Sequence, residues 1–331
     1  MLSPLLIVVI VVALAFEFIN GFHDTANAIA TSVYTRAITP GKAIALAAVM
    51  NFFGALVSER VAMTISQGLV GVEPAQYVIL AALIGAIIWN LLTWFFGIPC
   101  SSSHALIGAL VGAVIVAYGG VEAVLWGGVL KKVVIPLFTS PIIGLFIGFG
   151  FMKLIFYLLQ NKTPHIVNRY FSKFQILSAA FVAYSHGNND AQKTMGMITL
   201  ALIGANLIDS GSGVPLWVKV VCAVVMALGT SCGGRRIMKT MGNKVTRLEP
   251  VGGFAAQTSS AVVIEAMTFL GAPVSTTQVI TSAVMGVGSA RRISAVKWSV
   301  AGNIVLAWFI TLPITMALGA AIAWCLGLVM Q

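Results

Sequence analysis

Two polar motifs, each occurring twice within otherwise apolar sequence, constrain the fold of this 331-residue chain more than any other feature. GFHDTAN at 21–27 returns as GNNDAQK at 187–193, and GIPCSSSH at 97–104 returns as GAPVSTTQ at 271–278. The two copies of each motif are separated by close to half of the chain. This spacing indicates an internal duplication with polar motifs near the centre of each copy, an arrangement typical of membrane transporters.

The composition excludes a soluble protein. Hydrophobic residues make up 59% of the chain and charged residues only 8%, whereas soluble domains carry about 25% charged residues. The apolar stretches are continuous rather than alternating with a period of two residues, which favours a helical bundle over a β-barrel. Allowing about 20 residues for each crossing, the sequence predicts an all-α integral membrane protein with roughly ten to twelve helical elements.

The net charge of +10 comes largely from Lys and Arg clusters between apolar stretches, at 131–132, 153–173, 235–247 and 291–297. Such clusters anchor membrane proteins on the cytoplasmic side, so they do not predict a nucleic-acid partner. The stretch 235–247 is the best candidate for a cytoplasmic loop.

The polar stretch 161–174 is predicted to link two transmembrane repeats, an N-terminal one at 1–160 and a C-terminal one at 175–331. The repeats are expected to have inverted topology, as in many duplicated transporters. In each repeat the Asp motif is expected to interrupt a helix early. The Pro of the second motif should break another helix, because Pro lacks the N–H group needed to continue it. The result is a broken helix or a re-entrant hairpin, with 101–103 and 275–277 at the N-termini of the second half-helices.

Four of the nine acidic residues lie within apolar stretches, namely Glu17, Asp24, Asp190 and Glu265. An ionisable group there costs about 2.5–3.5 kcal/mol on insertion scales, so it favours a functional role. Function is expected for Glu265, whereas Glu17 is expected to pair with a polar partner and to be structural.

The first Asp motif has the chemistry of a cation site. On a helix, Asn20, Asp24 and Asn27 share one face, and that face offers hard oxygen ligands for Na⁺ or an acceptor for a proton. A similar face surrounds Asp190 in the second copy. The alternative is a polar cluster that only joins helices through hydrogen bonds. The recurrence of the motif at matching places favours function.

The second motif has the chemistry of an anion site. A run of hydroxyl side chains after Pro lies where backbone N–H groups are exposed and where the helix dipole is positive, so it can bind an anion without Arg. Two such ends facing each other would hold a tetrahedral oxyanion. Ordinary N-capping explains one hydroxyl but not three in a row in both copies. The candidates are Ser101, Ser102, Ser103, Ser275, Thr276 and Thr277.

Other polar residues have two interpretations each. The histidines next to the motifs either carry protons or are structural. Lys193 is either a counter-ion for Asp190 or the anion, or a snorkelling lysine, and Asn90 is either a cation ligand or a helix-packing amide. The histidines are His23, His104 and His186.

Four stretches of this chain, at 17–36, 86–112, 183–200 and 272–286, resemble the inorganic phosphate transporter (PiT) family of secondary carriers. The resemblance covers nearly the whole chain. His23 stands where the broader family has Asn, as in the branch of bacterial low-affinity phosphate carriers, and the coupling ion of the family is either Na⁺ or H⁺. A related branch resembles sulfate permeases.

The resemblance implies import of inorganic phosphate, free or as a neutral metal–phosphate complex, by symport with Na⁺ or H⁺ and alternating access. The implied phosphate ligands are the six hydroxyl residues of the Pro motifs together with Asn27 and Asn189. The implied coupling residues, with Na⁺ at the two aspartates, are Asp24, Asp190, Asn20, Asn90, Glu265 and Gln278.

The rival functions are weaker. An intramembrane hydrolase would need an oriented triad or a metal-binding helix, and the sequence has neither a Gly-x-Ser-x-Gly elbow nor a His-Glu-x-x-His motif. A passive anion channel has no need for paired carboxylates. We therefore expect a transporter rather than an enzyme, with no cofactor beyond its coupling ion, in a prokaryotic inner membrane. The expected partners are phosphate and lipid, and a homodimer is compatible with the sequence although no residue specifies it.

Overall fold

The computed structural model describes residues 3–233, 246 and 248–330, and these residues are almost entirely helical. The all-α class predicted from composition is therefore confirmed. The basic stretch 235–247, predicted as a cytoplasmic loop, lies outside the described residues apart from Thr246. Within the described residues there are eleven α-helices: α1 Pro4–Tyr34, α2 Pro40–Ala55, α3 Arg60–Gln67, α4 Gln76–Phe96, α5 Ser102–Ala117, α6 Trp126–Leu159, α7 Pro164–Gly204, α8 Leu216–Cys232, α9 Pro250–Phe269, α10 Thr276–Arg291 and α11 Trp298–Met330.

Several helices have the length and composition of membrane spans. In the part of the chain that the structure describes, α1, α4, α6 and α11 are each long and apolar enough to cross a bilayer. The pair α2 and α3, bent by 64° at its break, adds a fifth span if it is counted as one, and α5 and α8 are shorter apolar helices. The protein is thus a multi-pass membrane protein.

The Asp motifs do not interrupt their helices, and the prediction that they would is wrong. α1 runs without a break through Asp24, and α7 runs for 41 residues through Asp190. The glycines of these motifs serve close packing. A Cβ atom on Gly21 would meet the backbone of Met226, and one on Gly187 would meet the backbone of Asn51. Small residues at such crossings let membrane helices approach each other closely.

Helix α7 also includes most of the predicted linker. Residues 164–174 form its first turns, and only residues 160–163 separate it from α6. Pro164 occupies the first turn of α7, where its missing N–H is tolerated. Helix α7 therefore begins with this polar stretch and continues through buried residues to Gly204.

The chain leaves the helix at both Pro motifs, and it does so in the same way. α4 ends at Phe96 and is followed by Gly97 with a left-handed backbone (φ 66°), and Gly271, two residues after the end of α9, has φ 68°. Four residues later, Ser101 and Ser275 cap the N-termini of α5 and α10 through their side chains. Only Gly adopts the left-handed conformation without strain, which explains its place at both breaks.

Helices from the first half pack against helices from the second. α2 packs on α7 while α8 packs on α1, and α5 packs on α11 while α10 packs on α6. Matching glycines mark these crossings. A Cβ atom on Gly54 would meet the carbonyl of Tyr184, and one on Gly229 would meet that of Phe18. The contacts of one half are thus repeated by the other, and the polar motifs are enclosed where the halves meet.

Candidate functional site

Each aspartate contacts the Pro motif of its own half. Ser102 Oγ donates to Asp24 Oδ2 at 2.6 Å and lies 2.9 Å from Asn20 Oδ1. In the second half, Thr276 Oγ1 donates to Asp190 Oδ2 at 3.4 Å. Ser102 and Thr276 are the first residues of α5 and α10, so both helices begin directly at a buried carboxylate.

Contacts between the halves join these two places into one site. Thr277 Oγ1 donates to Asp24 Oδ1 at 3.2 Å and accepts a 2.8 Å hydrogen bond from Asn27 Nδ2. Ser103 Oγ donates to the Val274 carbonyl at 2.8 Å. The Pro motif of each half therefore reaches into the other half, as two helix ends that face each other would.

The two carboxylates lie beside different nitrogen groups. His23 Nδ1 lies 2.6 Å from Asp24 Oδ1, whereas Lys193 Nζ lies 2.7 Å from Asp190 Oδ1. His186 Nε2 lies 3.4 Å from the other oxygen of Asp190. All five side chains are 2% exposed or less. Of the interpretations open for Lys193, the structure favours a counter-ion for Asp190, because a snorkelling lysine would reach the surface.

The residue next to each aspartate is anchored in an equivalent way. His23 Nε2 lies 3.3 Å from Thr93 Oγ1 at the end of α4. Asn189 Nδ2 donates to Thr268 Oγ1 at the end of α9 at 2.8 Å, and to the Ala272 carbonyl at 3.2 Å. These contacts connect the Asp motifs on α1 and α7 to the ends of α4 and α9, which precede the breaks.

Several buried polar atoms around this site have no hydrogen-bond partner within the described residues. Buried polar atoms in proteins are nearly always paired, so this group indicates a place where a polar ligand or water binds. The helix N-termini add backbone donors of their own. The unpaired atoms are Asn20 Nδ2, Asn27 Oδ1, both ring nitrogens of His104, Asn189 Oδ1 and both amide atoms of Gln278.

Two of the predicted coupling residues make no hydrogen bond to this cluster within the described residues. Asn90 is fully buried, and both its amide atoms lack a partner among the described residues. Glu265 is half-buried and accepts a 3.0 Å hydrogen bond from Asn188. Neither is hydrogen-bonded to an aspartate or to a hydroxyl of the Pro motifs. The N-caps of α5 and α10, Ser101 and Ser275, accept hydrogen bonds from the backbone N–H groups of His104 and Gln278.

Sequence reasoning missed one part of the network. Asn51 Nδ2 lies 2.9 Å from the hydroxyls of both Thr25 and Thr230, and its Oδ1 lies 3.1 Å from His186 Nδ1. This amide thus joins α1, α2, α7 and α8 behind Asp190. Asn51 is an isolated amide in an apolar helix, which is the signal that could have identified it.

The donors of the site are carboxylate, amide and hydroxyl oxygens. In the part of the chain that the structure describes, no group of three or more His, Cys, Asp or Glu side chains is arranged to hold a metal ion. Hard cations prefer such oxygen ligands, and the N-termini of α5 and α10 suit an anion. The fold and site define a multi-pass membrane protein whose helical core encloses a cluster of buried carboxylate, amide and hydroxyl side chains.

Comparisons with known proteins give this class a family. The sequence profile described as the phosphate transporter family matches residues 20–319. The chain is 48% identical to a probable low-affinity inorganic phosphate transporter of Bacillus subtilis, over 98% of both chains. It is 47% identical to a protein of the same description from Rhizobium meliloti, over 96% of this chain and 95% of that one. The chain therefore belongs to the phosphate transporter family, as its motifs predicted.

A solved structure shares the fold. The structure titled "The sodium-dependent phosphate transporter" has a TM-score of 0.88 and 28% sequence identity, covering 98% of this chain and 100% of that one. The agreement over both whole chains means that the helix order described above is common to the two proteins.

Proposed function

We propose that this protein imports inorganic phosphate across the cell membrane by symport with a cation. The observation that carries this proposal is the meeting of two hydroxyl-bearing helix N-termini with two buried aspartates at one enclosed place. Membership of the phosphate transporter family supports phosphate as the anion. The relatives are described as transporters, which supports transport rather than catalysis.

The phosphate ligands are proposed to come from both Pro motifs. Hydroxyl groups donate to phosphate oxygens, and the dipoles of α5 and α10 add partial positive charge at the same place. Two amides, Asn27 and Asn189, complete the set, since the side-chain NH2 group of each can donate to a phosphate oxygen. The hydroxyl donors are Ser101, Ser102, Ser103, Ser275, Thr276 and Thr277.

Binding of phosphate here requires a cation. Asp24 and Asp190 already exceed the single lysine charge of Lys193, and an incoming phosphate adds negative charge in a region of low dielectric constant. A cation that loads first makes the anion site favourable, and this order of binding couples the two fluxes.

Na⁺ is the first candidate for the coupling ion. The oxygen donors around the aspartates suit it, and the solved neighbour is described as sodium-dependent. The amide oxygens of Asn20 and Gln278 are proposed to complete its ligands, since Gln278 Oε1 is unpaired and Asn20 Oδ1 accepts from Ser102 with one of its two lone pairs. Asn90 and Glu265 are proposed as further coupling residues. H⁺ is the second candidate, because a histidine nitrogen lies next to each aspartate and could share a proton with it.

The transport cycle is proposed to use two inverted repeats, 1–160 and 175–331, joined through 161–174. The reciprocal packing of α2 on α7 and α8 on α1 supports this division. The matching breaks at Gly97 and Gly271 support a broken or re-entrant element in each repeat. Rocking of one helix group against the other would expose the site alternately to the two sides.

The test is uptake of labelled phosphate into proteoliposomes under an imposed Na⁺ or H⁺ gradient, with sulfate as competitor. We expect uptake driven by one gradient, weak competition by sulfate, and loss of uptake in Asp24→Asn and Asp190→Asn. The control is Glu122→Gln, which removes an exposed carboxylate. Full competition by sulfate would indicate a sulfate carrier. A requirement for a divalent metal would indicate that a metal–phosphate complex is transported. Normal uptake by both Asp variants would contradict the proposal.

A further inference from the structure

Glu17 is a buried acid that the proposed phosphate site does not use. It lies on α1, about two helical turns before Asp24, and its side chain is wholly buried. Its Oε2 accepts a short hydrogen bond from Thr194 on α7. Its Oε1 has no partner among the described residues, and none of the salt bridges found there involves Glu17. The expected polar partner is therefore present, but it satisfies only one of two carboxyl oxygens.

The titratable groups that interact electrostatically with Glu17 are Asp190 and Lys193 on α7 and Cys222 on α8. Lys193 cannot neutralise Glu17, because its ammonium group is already paired with Asp190 at 2.7 Å. Asp190 adds negative charge, and a thiol offers no positive charge. α8 covers this region closely, since Gly21 on α1 lies against the backbone of Met226.

These surroundings leave one way to neutralise the carboxyl group. An ionised carboxylate buried without a cation is strongly unfavourable, so a charge-balancing partner is required. A bound hard cation would need about six oxygen ligands, and Thr194 supplies the one side-chain hydrogen bond that Glu17 has in the described structure. A proton neutralises the carboxyl group without such a shell of oxygen ligands.

We propose that Glu17 is a proton-binding site in its own right, separate from the site at Asp24 and Asp190, which holds its proton while α1, α7 and α8 are packed together. When this packing opens, water reaches the carboxyl group, the O–H bond breaks, the proton passes to water and the carboxylate becomes solvated. The packed conformation thus binds one proton more at this position than the opened conformation. The consequence for transport, a pH dependence set by Glu17, rests on the proposed function.

Infrared difference spectroscopy of the purified protein in lipid tests the proton directly. We expect the carbonyl band of a protonated, buried carboxylic acid in the wild-type protein, its loss in Glu17→Gln, and its retention in Glu17→Asp and in the exposed control Glu122→Gln. A spectrum in which Glu17→Gln removes only carboxylate bands would overturn the proposal. This readout requires a folded protein but not transport.

The pH profile of phosphate uptake provides the second test. Because Gln is neutral at every pH, the pH profile of uptake by Glu17→Gln is expected to differ in shape from the wild-type profile, whereas Glu17→Asp and Glu122→Gln are expected to keep the wild-type shape. A Glu17→Gln profile that matches the wild-type profile would overturn the proposal. Should wild-type protein fail to transport phosphate, the proposed function fails, and the infrared bands still decide whether Glu17 holds a proton.

Discussion

At the scale of single residues, equivalent hydroxyl groups contact the two aspartates of the site, but different nitrogen groups lie beside them. Ser102 and Thr276 contact equivalent aspartates in the two halves, yet Asp24 is paired with a histidine and Asp190 with a lysine. The two aspartates therefore share their hydroxyl contacts but differ in the nitrogen group beside them, so Asp24→Asn and Asp190→Asn change different contacts.

Substitution of Thr277 tests the contact between the two halves, because its hydroxyl is hydrogen-bonded to both Asp24 and Asn27. Thr277→Val keeps the shape and removes a hydrogen bond to a charged group, which is worth about 1.5–3 kcal/mol. If that interaction supports binding, the KM for phosphate should rise on the order of tenfold or more.

The matched control is Thr281→Val, one turn further along α10, where the hydroxyl donates to the Thr277 carbonyl within the helix. Both threonines are fully buried, so a loss of folding would affect the two variants alike. Equal KM values for the two variants in steady-state uptake would argue against a role for the Thr277 hydroxyl in binding.

At the scale of elements, the sequence predicted that helices end at the Pro motifs but not that helices continue through the Asp motifs. Pro99 and Pro273 each follow a left-handed glycine by two residues, and this combination ends the helix, whereas the prolines inside α6 and α11 do not end theirs. Gly21 and Gly187 carry no such restriction, and whether they break a helix or pack against one depends on the neighbouring helix. That neighbour, α8 for Gly21 and α2 for Gly187, is far away in the sequence. Local patterns carry no information about such distant partners.

Close packing at the glycines makes a prediction about stability. A Cβ atom on Gly112 of α5 would meet the carbonyl of Met316 on α11, so Gly112→Ala must push the two helices apart. Overpacking of this kind costs about 1–3 kcal/mol. We expect a clearly lower midpoint of thermal unfolding in detergent.

Gly302→Ala on α11 is the control, because a Cβ atom there would have nothing within 4 Å. Its Tm should equal or slightly exceed that of the wild type, since Ala has the higher helix propensity. An unchanged Tm for Gly112→Ala would mean that α5 and α11 are not held at the distance seen here.

At the scale of the whole molecule, the site exists only because the two halves exchange contacts. Each half taken alone has its own pair of motifs, and from these the sequence predicted which residues are candidates. The hydrogen bonds from Asn27 to Thr277 and from Asn51 to Thr230 join opposite halves and depend on how those halves dock. Docking depends on the summed packing of many helices, and no single motif specifies it.

The proposed inverted topology of the repeats makes a prediction about the two faces of the membrane. Corresponding turns precede α6 and α11, and in each the Trp that starts the helix donates to a carbonyl in the turn: Trp126 to Val121 at 2.8 Å and Trp298 to Ile293 at 3.0 Å. Glu122 and Ser294 are exposed in these turns. Inversion relates equivalent positions by a twofold axis in the membrane plane, so these two residues should lie on opposite sides.

Glu122→Cys and Ser294→Cys, each made in a background with the exposed Cys232 and Cys325 replaced by Ser, would be labelled in intact cells with a membrane-impermeant maleimide. We expect one variant to react in intact cells and the other only after permeabilisation, whichever side faces out. The background protein without either new cysteine controls for the buried Cys100 and Cys222. Reaction of both variants from the same side would mean that the halves are parallel. Parallel halves would bring the N-termini of α5 and α10 in from the same face, and phosphate could then not be held between two opposed helix ends.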